Sequence, residues 1–266
     1  MAEELERTPN WPYLLGLGFN IWLCCWQAGF SQGGNNVSGD YIKLQLNWTD
    51  SEAEFNNSAI AFVEAFGITA GSFLANAVVA YGRRKTIIIC NVILIAFTAL
   101  TLIQNFWCII IGKLIMSICA GTILIAANLI LEETVPRQLH SLFGNLINFG
   151  IITAIFMELS IGLVFPDIDE EPEKAKTTQL WRLAYGAGIP PACLSLLMWF
   201  CCQRWETPQY IVDKGRNEEA LVHLKMIYKL KHPRGYQTIL NELEEVAQAT
   251  QDQHPEDHED EVGQGN

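Results

Sequence analysis

Charge is scarce and lopsided in this 266-residue chain: 17 Lys and Arg stand against 29 Asp and Glu, a formal net charge of −12, and charged residues make up only 17% of it. The basic residues form no stripe, so nucleic acid is not an expected partner. No metal-spaced His/Cys cluster, nucleophile constellation or phosphate loop occurs, so neither an enzymatic role nor a cofactor is expected. The eight cysteines, Cys24, Cys25, Cys90, Cys108, Cys119, Cys193, Cys201 and Cys202, fall inside or at the edges of apolar runs, and no disulfide framework is implied. They read as packing residues, with acylation an alternative for Cys201 and Cys202. His254 and His258 lie in an acidic tail without aromatics, "QDQHPEDHEDEVGQGN", which reads as solvated disorder rather than a metal site.

What the sequence has instead is clumped apolar residues. Runs cover 13–30, 59–80, 86–103, 107–131, 142–165 and 181–202. Each is near the roughly 20 residues that carry a helix across a hydrocarbon core about 30 Å thick. A soluble bundle would need a polar face at helical period, and these runs have none. The leading "MAEELERT" is acidic and no small-residue cleavage site follows, so the first run reads as a retained span rather than a secretory leader. The expected fold is therefore an all-α membrane protein with six spans and amphipathic helices on the cytoplasmic side.

Orientation is read from Lys and Arg, which cytoplasmic loops retain. Arg83, Arg84 and Lys85 follow the second run, Arg137 the fourth, and Arg204, Lys214, Arg216, Lys225, Lys229, Lys231 and Arg234 the sixth. The alternate connections hold only Lys43, Lys174 and Lys176, with Arg182 at a span edge. Both termini are thus expected in the cytoplasm, and an external loop is expected over "SQGGNNVSGDYIKLQLNWTDSEAEFNNS", residues 31–58, carrying N-x-S/T sequons at Asn36, Asn47 and Asn56. The expected divisions are an N-terminal segment over 1–12, a six-helix bundle over 13–203, a cytoplasmic helical segment over 204–249 and a disordered tail over 250–266. Within 204–249, Ala220, Leu221, Leu224, Ile227 and Tyr228 lie at helical spacing, and a second helix is expected from Tyr236 to Ala249.

Small residues four apart mark helix contact faces in lipid. Gly67 with Gly71 and Ser117 with Gly121 form such pairs, and Gly144 and Gly150 a looser one. Three ionisable residues fall inside runs: Glu64, Lys113 and Glu158. Each lies about five to seven residues from the external end of its run, roughly 8–11 Å deep, so the three can meet at one level. They read either as a buried ion pair or triad joining three helices or as a polar element of a solute or proton pathway. Asn145 and Asn148 in "SLFGNLINFGII" offer donors and acceptors suited to a hydroxyl-rich solute, or to bonds with neighbouring helices.

Several motifs in order resemble the sugar porter branch of the major facilitator superfamily. "WETPQYI" from Trp205 is similar to the family's P-E-S-P-R-Y/F-L signature after the sixth span, and G-R-x-E-E-A stands intact from Gly215 to Ala220. "GRRK" from Gly82 resembles the G-R-R/K loop between the second and third spans. "IGKLIMSICAG" resembles the fourth-span I-G-R-L pattern, with Lys113 in place of Arg. "EETVPRQLHSLFGNLINFG" resembles E-x-x-P-x-x-x-R-G-x-x-x-x-x-x-Q-L-G, keeping Glu133, Pro136 and Gly150 with Asn148 in place of Gln, and Trp181-Arg182 matches the W-R that opens the sixth span. The resemblance covers residues from about 13 to 235.

The resemblance implies the N-terminal six-span half of a major facilitator fold. It further implies movement of a hexose-type sugar by alternating access in the plasma membrane, with a C-terminal half or a second copy of this chain as partner. It assigns inner-gate roles to Arg83, Arg84, Glu133 and Glu206, the arginines pairing with the two carboxylates when the gate is shut. It assigns sugar contacts to Asn148 and Glu158, since the family's deeper fifth-span Gln falls on Leu159 by ungapped counting, beside Glu158. Other departures are His140-Ser141 for Arg-Gly, Gln209 for the signature's Arg, Val79 for an acidic residue, and Ser31 for the Asp or Asn of the first span. No carboxylate is therefore available at residue 31 for proton coupling. These departures also suit an alternative, a non-transporting membrane subunit or sensor derived from a sugar porter.

Overall fold

The computed structural model describes residues 8–168, 170–229 and 233–253. Strand β1 (Thr8–Pro9) precedes α1 (Trp11–Leu46), α2 (Asp50–Val78), α3 (Arg83–Thr101), α4 (Phe106–Thr134) and α5 (His140–Gly162). A short α6 (Pro172–Thr177) leads to α7 (Leu180–Gly186) and α8 (Ile189–Cys201), which together make one span. Then come α9 (Pro208–Asp213), α10 (Asn217–Ile227), β2 (Tyr228–Lys229) and α11 (Pro233–Gln253). The tail beyond Gln253, including His254 and His258, lies outside the described residues.

Local chemistry starts these helices where they begin. Thr49 and Glu52 form a capping box on α2, with the Thr49 amide donating to Glu52 Oε2 at 2.9 Å. Asn105 accepts from the amides of Trp107 and Cys108 at the start of α4. Among the described residues, α2, α3, α4, α5 and the α7–α8 pair are long and apolar enough to cross a membrane. The buried polar residues Asn20, Gln27 and Ser31 dilute α1, which nevertheless packs along α4, α5, α7 and α8 as the sixth member of the bundle. Large apolar side chains such as Phe62, Phe66, Phe73, Trp107 and Phe200 stay exposed around its outside, as lipid-facing residues do. The chain is a multi-pass membrane protein of all-α class.

The small-residue pairs are partners of one another. A methyl group on Gly71 would lie 2.0 Å from the Ile118 carbonyl oxygen, and one on Gly121 would lie 2.2 Å from that of Ile68. Backbones of α2 and α4 thus touch where any larger side chain would hold them apart. Gly150 makes a similar approach to Trp22 on α1, whereas Gly144 faces open space and is no contact residue.

The external loop expected from Ser31 is instead helix. Residues 31–46 continue α1, α2 starts at Asp50, and only 47–49 connect them. Turn-prone composition misleads here because Gly33, Gly34, Ser38 and Gly39 are buried, and the room they leave is filled by Glu158 and Asn57. Tertiary contact overrides glycine's low helix propensity. Asn47 alone of the three sequon asparagines sits in the turn, with left-handed backbone (φ 53°).

The post-span helices follow the expected apolar stripe. Ala220, Leu224 and Ile227 are buried, Tyr228 passes into β2, and α11 buries Ile239, Leu240 and Ala247 while extending beyond the expected 236–249. β1 pairs antiparallel with β2 (Thr8 opposite Lys229, Pro9 opposite Tyr228), tying the start of α1 to this helical segment.

Candidate functional site

Three polar regions are built into the bundle. At its basic end, the Arg83 guanidinium donates to Glu133 Oε1 from Nη2 (2.8 Å) and Nε (3.1 Å), and Thr207 Oγ1 donates to the other Glu133 oxygen. Arg83 also lies 5.2 Å from the Tyr210 ring centre. Glu206 takes a different role from the one expected. Its oxygens accept from the backbone amides of Arg84 (2.9 Å) and Lys85 (3.1 Å), capping α3, while the Arg84 guanidinium turns to the carbonyls of Gln203 (2.6 Å) and Trp199 (2.8 Å). The free helical amides of an N-terminus supply donors and a partial positive charge that suit a carboxylate. Gly82, at φ 131°, lets the chain turn there, and a methyl group on it would sit 2.8 Å from Glu206 Oε1.

His140 and Gln209, where the family carries arginine, stand apart from that cluster. His140 bonds the Val135 carbonyl at 2.6 Å, and Gln209 donates to Asp213 at 2.9 Å. A residue that sequence reasoning missed is His223 on α10. It is buried, bonded to the Tyr13 hydroxyl at 2.7 Å, and desolvation pulls its pKa down to about 4. Its place in the apolar stripe of α10 was the available clue.

The second region is the buried triad. Glu64, Lys113 and Glu158 meet at one level, as their depths suggested. Lys113 pairs with Glu64 at 2.6 Å, donates to the Ser31 carbonyl at 2.9 Å and stands 4.5 Å from the Tyr185 ring centre. Ser31 Oγ bonds Ser117 Oγ at 3.0 Å. Glu158 is fully buried against Gly33 and Gly34, and neither of its oxygens has a hydrogen-bond partner among the described residues.

The third region is the open side of α5. Phe143, Ile147, Gly150, Ala154 and Glu158 form its buried stripe. Asn145, Asn148, Ile152 and Leu159 lie on the exposed stripe, so Asn148 and Glu158 face different ways and are not brought together. Neither Asn145 nor Asn148 has a hydrogen-bond partner among the described residues, so these amides are not bonded to neighbouring helices. On adjacent α1, Trp22 and Trp26 form an edge-on pair 4.7 Å apart between centroids, and Phe149 of α5 stacks on Trp22 at 6.3 Å. Both indole N–H groups lack partners among the described residues. The two tryptophans, four apart on the first span, were visible in sequence only as apolar residues.

Lipid-facing spans, close glycine contacts and polar groups gathered at one end, at one buried level and along one open face define an integral membrane protein of the helical-bundle class. Residues 26–259 match the family model described as Sugar (and other) transporter, and the chain belongs to that family, within the major facilitator superfamily. It is 28% identical over 224 residues to Hexose transporter 1 of Toxoplasma gondii, covering 76% of this chain and 38% of that protein. It is 24% identical over 166 residues to the facilitated glucose transporter member 8 of Bos taurus (62% and 30% covered), and 23% identical over 218 residues to a probable inositol transporter 2 of Arabidopsis thaliana (82% and 36%). The chain thus spans about a third of the length of these relatives. Among solved structures, the proton:xylose symporter XylE bound to 6-bromo-6-deoxy-D-glucose superposes with a TM-score of 0.75 at 15% identity, covering 91% of this chain and 55% of that one. An inward-open form of XylE from E. coli gives 0.69, covering 88% and 56%. At such identities the likeness concerns the fold.

Proposed function

We propose that this chain acts as the N-terminal half of a hexose-type sugar facilitator, moving sugar by alternating access in the plasma membrane with both termini in the cytoplasm. The observation that carries this reading is the pair of unbonded amides, Asn145 and Asn148, on the open side of α5. An amide left without partners in hydrocarbon costs free energy, so that face is expected to meet protein, water or a polar solute rather than lipid. Amides can both donate to and accept from sugar hydroxyls, while the neighbouring indoles offer flat faces for the sugar's C–H groups.

Membership of a sugar transporter family and relatives named as hexose and glucose transporters support the substrate class. The opposing wall of the cavity would come from a C-terminal half or a second copy, since carriers of this superfamily hold substrate between two repeats. Arg83, Glu133 and Glu206 would then serve as the cytoplasmic gate, whose bonds hold the helix ends in one state and loosen when the halves rock. Labelled hexose uptake into vesicles, with D- and L-glucose as competitors and Asn148→Leu as the site variant, tests the reading. Competition by the D-sugar alone, with apparent affinity weakened about two- to tenfold in the variant, is expected from losing a hydrogen bond. Equal competition by both enantiomers would contradict it.

A further inference from the structure

The buried triad holds one carboxylate more than its single lysine can neutralise. Glu64 on α2 has Lys113 of α4 at 2.6 Å, and Lys113 spends another bond on the Ser31 carbonyl of α1. Glu158 of α5 is equally deep and has no partner for either oxygen among the described residues. Its surroundings are the backbones of Gly33 and Gly34 on α1, the Lys113 ammonium, and the ring of Tyr185 on α7. A methyl group on Gly34 would lie 3.2 Å from Glu158 Oε1, 3.7 Å from Lys113 Nζ and 3.7 Å from Tyr185 Cδ2. The Tyr185 hydroxyl is directed to Asn35 Oδ1 at 3.4 Å and does not serve Glu158.

An ionised carboxylate without a hydrogen bond is the costliest group a bundle interior can hold, and a neutral carboxyl group is far cheaper. A metal cation is a poor alternative occupant, because hard cations need several oxygen ligands and this pocket offers methylene groups and an ammonium. We infer that Glu158 is a proton-binding site, and that its protonation state decides whether Lys113 stays with Glu64 or is shared with Glu158. With Glu158 as the neutral acid, Glu64 and Lys113 cancel and the triad carries no net charge. When the Glu158 O–H bond breaks, the proton leaves to water, the electron pair stays on the carboxylate and the triad carries one negative charge. Lys113 keeps its own protons throughout and is drawn from α2 toward α5. The glycines at 33 and 34 matter here because they leave room for both groups beside α1. Ser31, which removes the carboxylate expected for coupling on the first span, thus stands beside a different titratable group on the fifth.

The inference does not depend on the sugar reading, because its readout is ionisation and not uptake. The test is infrared difference spectroscopy of the full chain in lipid vesicles, titrated across roughly pH 5 to 9, where buried carboxyl groups change state. The expected result is a carbonyl stretch of a protonated carboxyl group that vanishes as pH rises and is missing in Glu158→Gln. Glu64→Gln is expected to move that titration to at least about tenfold higher proton concentration, because Lys113 without Glu64 favours ionised Glu158. Should Glu158→Gln fail to fold, persistence of the band at the acid end in Glu64→Gln assigns it to Glu158. No such band in the unaltered chain, a band that survives in folded Glu158→Gln, a titration unmoved in Glu64→Gln, or a band that follows sodium concentration at fixed pH would each overturn the inference.

Discussion

Arg83 and Glu133 are joined by two hydrogen bonds to a single carboxylate oxygen, which tie the start of α3 to the end of α4. Both side chains are largely buried, at 16% and 14% exposed, so solvent screens the pair little. Glu133→Ala strands a guanidinium and the Thr207 hydroxyl together, and is expected to destabilise the bundle by about 1.5–3 kcal/mol, the scale of a hydrogen bond to a charged group. Thermal unfolding in detergent measures it, and a change within about 0.5 kcal/mol, typical of surface substitutions, would remove this pair from the account.

Glu206 is expected to behave as a helix cap and not as a salt-bridge partner. Glu206→Ala should cost about 0.5–2 kcal/mol, the range for lost caps, and Glu206→Gln less, because the amide oxygen still accepts from one backbone N–H. If Arg84→Gln instead abolished the effect of Glu206→Ala in a double-mutant cycle, the two side chains would be coupled directly and the capping role would fail.

His223 gives the post-span helices a pH dependence. Its folded pKa near 4 lies below the unfolded value of about 6.5. The unfolded form therefore binds the extra proton first, and the stabilisation is complete above about pH 6.5 and lost as pH falls toward 4. The full loss is on the order of 3 kcal/mol. Protection factors of α10 amides, with the intrinsic pH dependence of exchange divided out, should fall as pH drops across that window and not in His223→Phe. Uniform protection from pH 7 to about 4 would contradict the assignment.

Topology is tested at Asn47. It is exposed in the turn between α1 and α2, whereas Asn36 and Asn56 lie inside helices. Expression in a secretory system should yield glycan removable by glycosidase and lost in Asn47→Gln. Modification of a sequon engineered near Lys214, with none at Asn47, would reverse the orientation that the basic residues imply.

Much of this architecture can be read from local spacing. Gly67 and Gly71 opposite Ser117 and Gly121, and three charges at equal depth, are one-dimensional patterns that helical geometry turns into contacts. What escaped was decided by partners distant in sequence. Residues 31–46 look like a loop until Glu158 and Asn57 are packed against their glycines. Glu206 looks like a salt-bridge residue until the bare amides of α3 stand before it. The phase of α5 was readable from Phe143, Ile147, Gly150, Ala154 and Glu158, whose spacing puts Asn148 on another side.

The central claim is that the open side of α5 is one wall of a sugar cavity completed by another six-span unit. The most direct measurement is saturable D-hexose uptake into vesicles as a function of the number of chains each contains. The account predicts none in vesicles holding one copy, with uptake appearing either as the square of chain density or when a complementary C-terminal half is supplied, and weakened in both cases by Asn148→Leu. Robust, saturable uptake in vesicles that hold a single copy would contradict it.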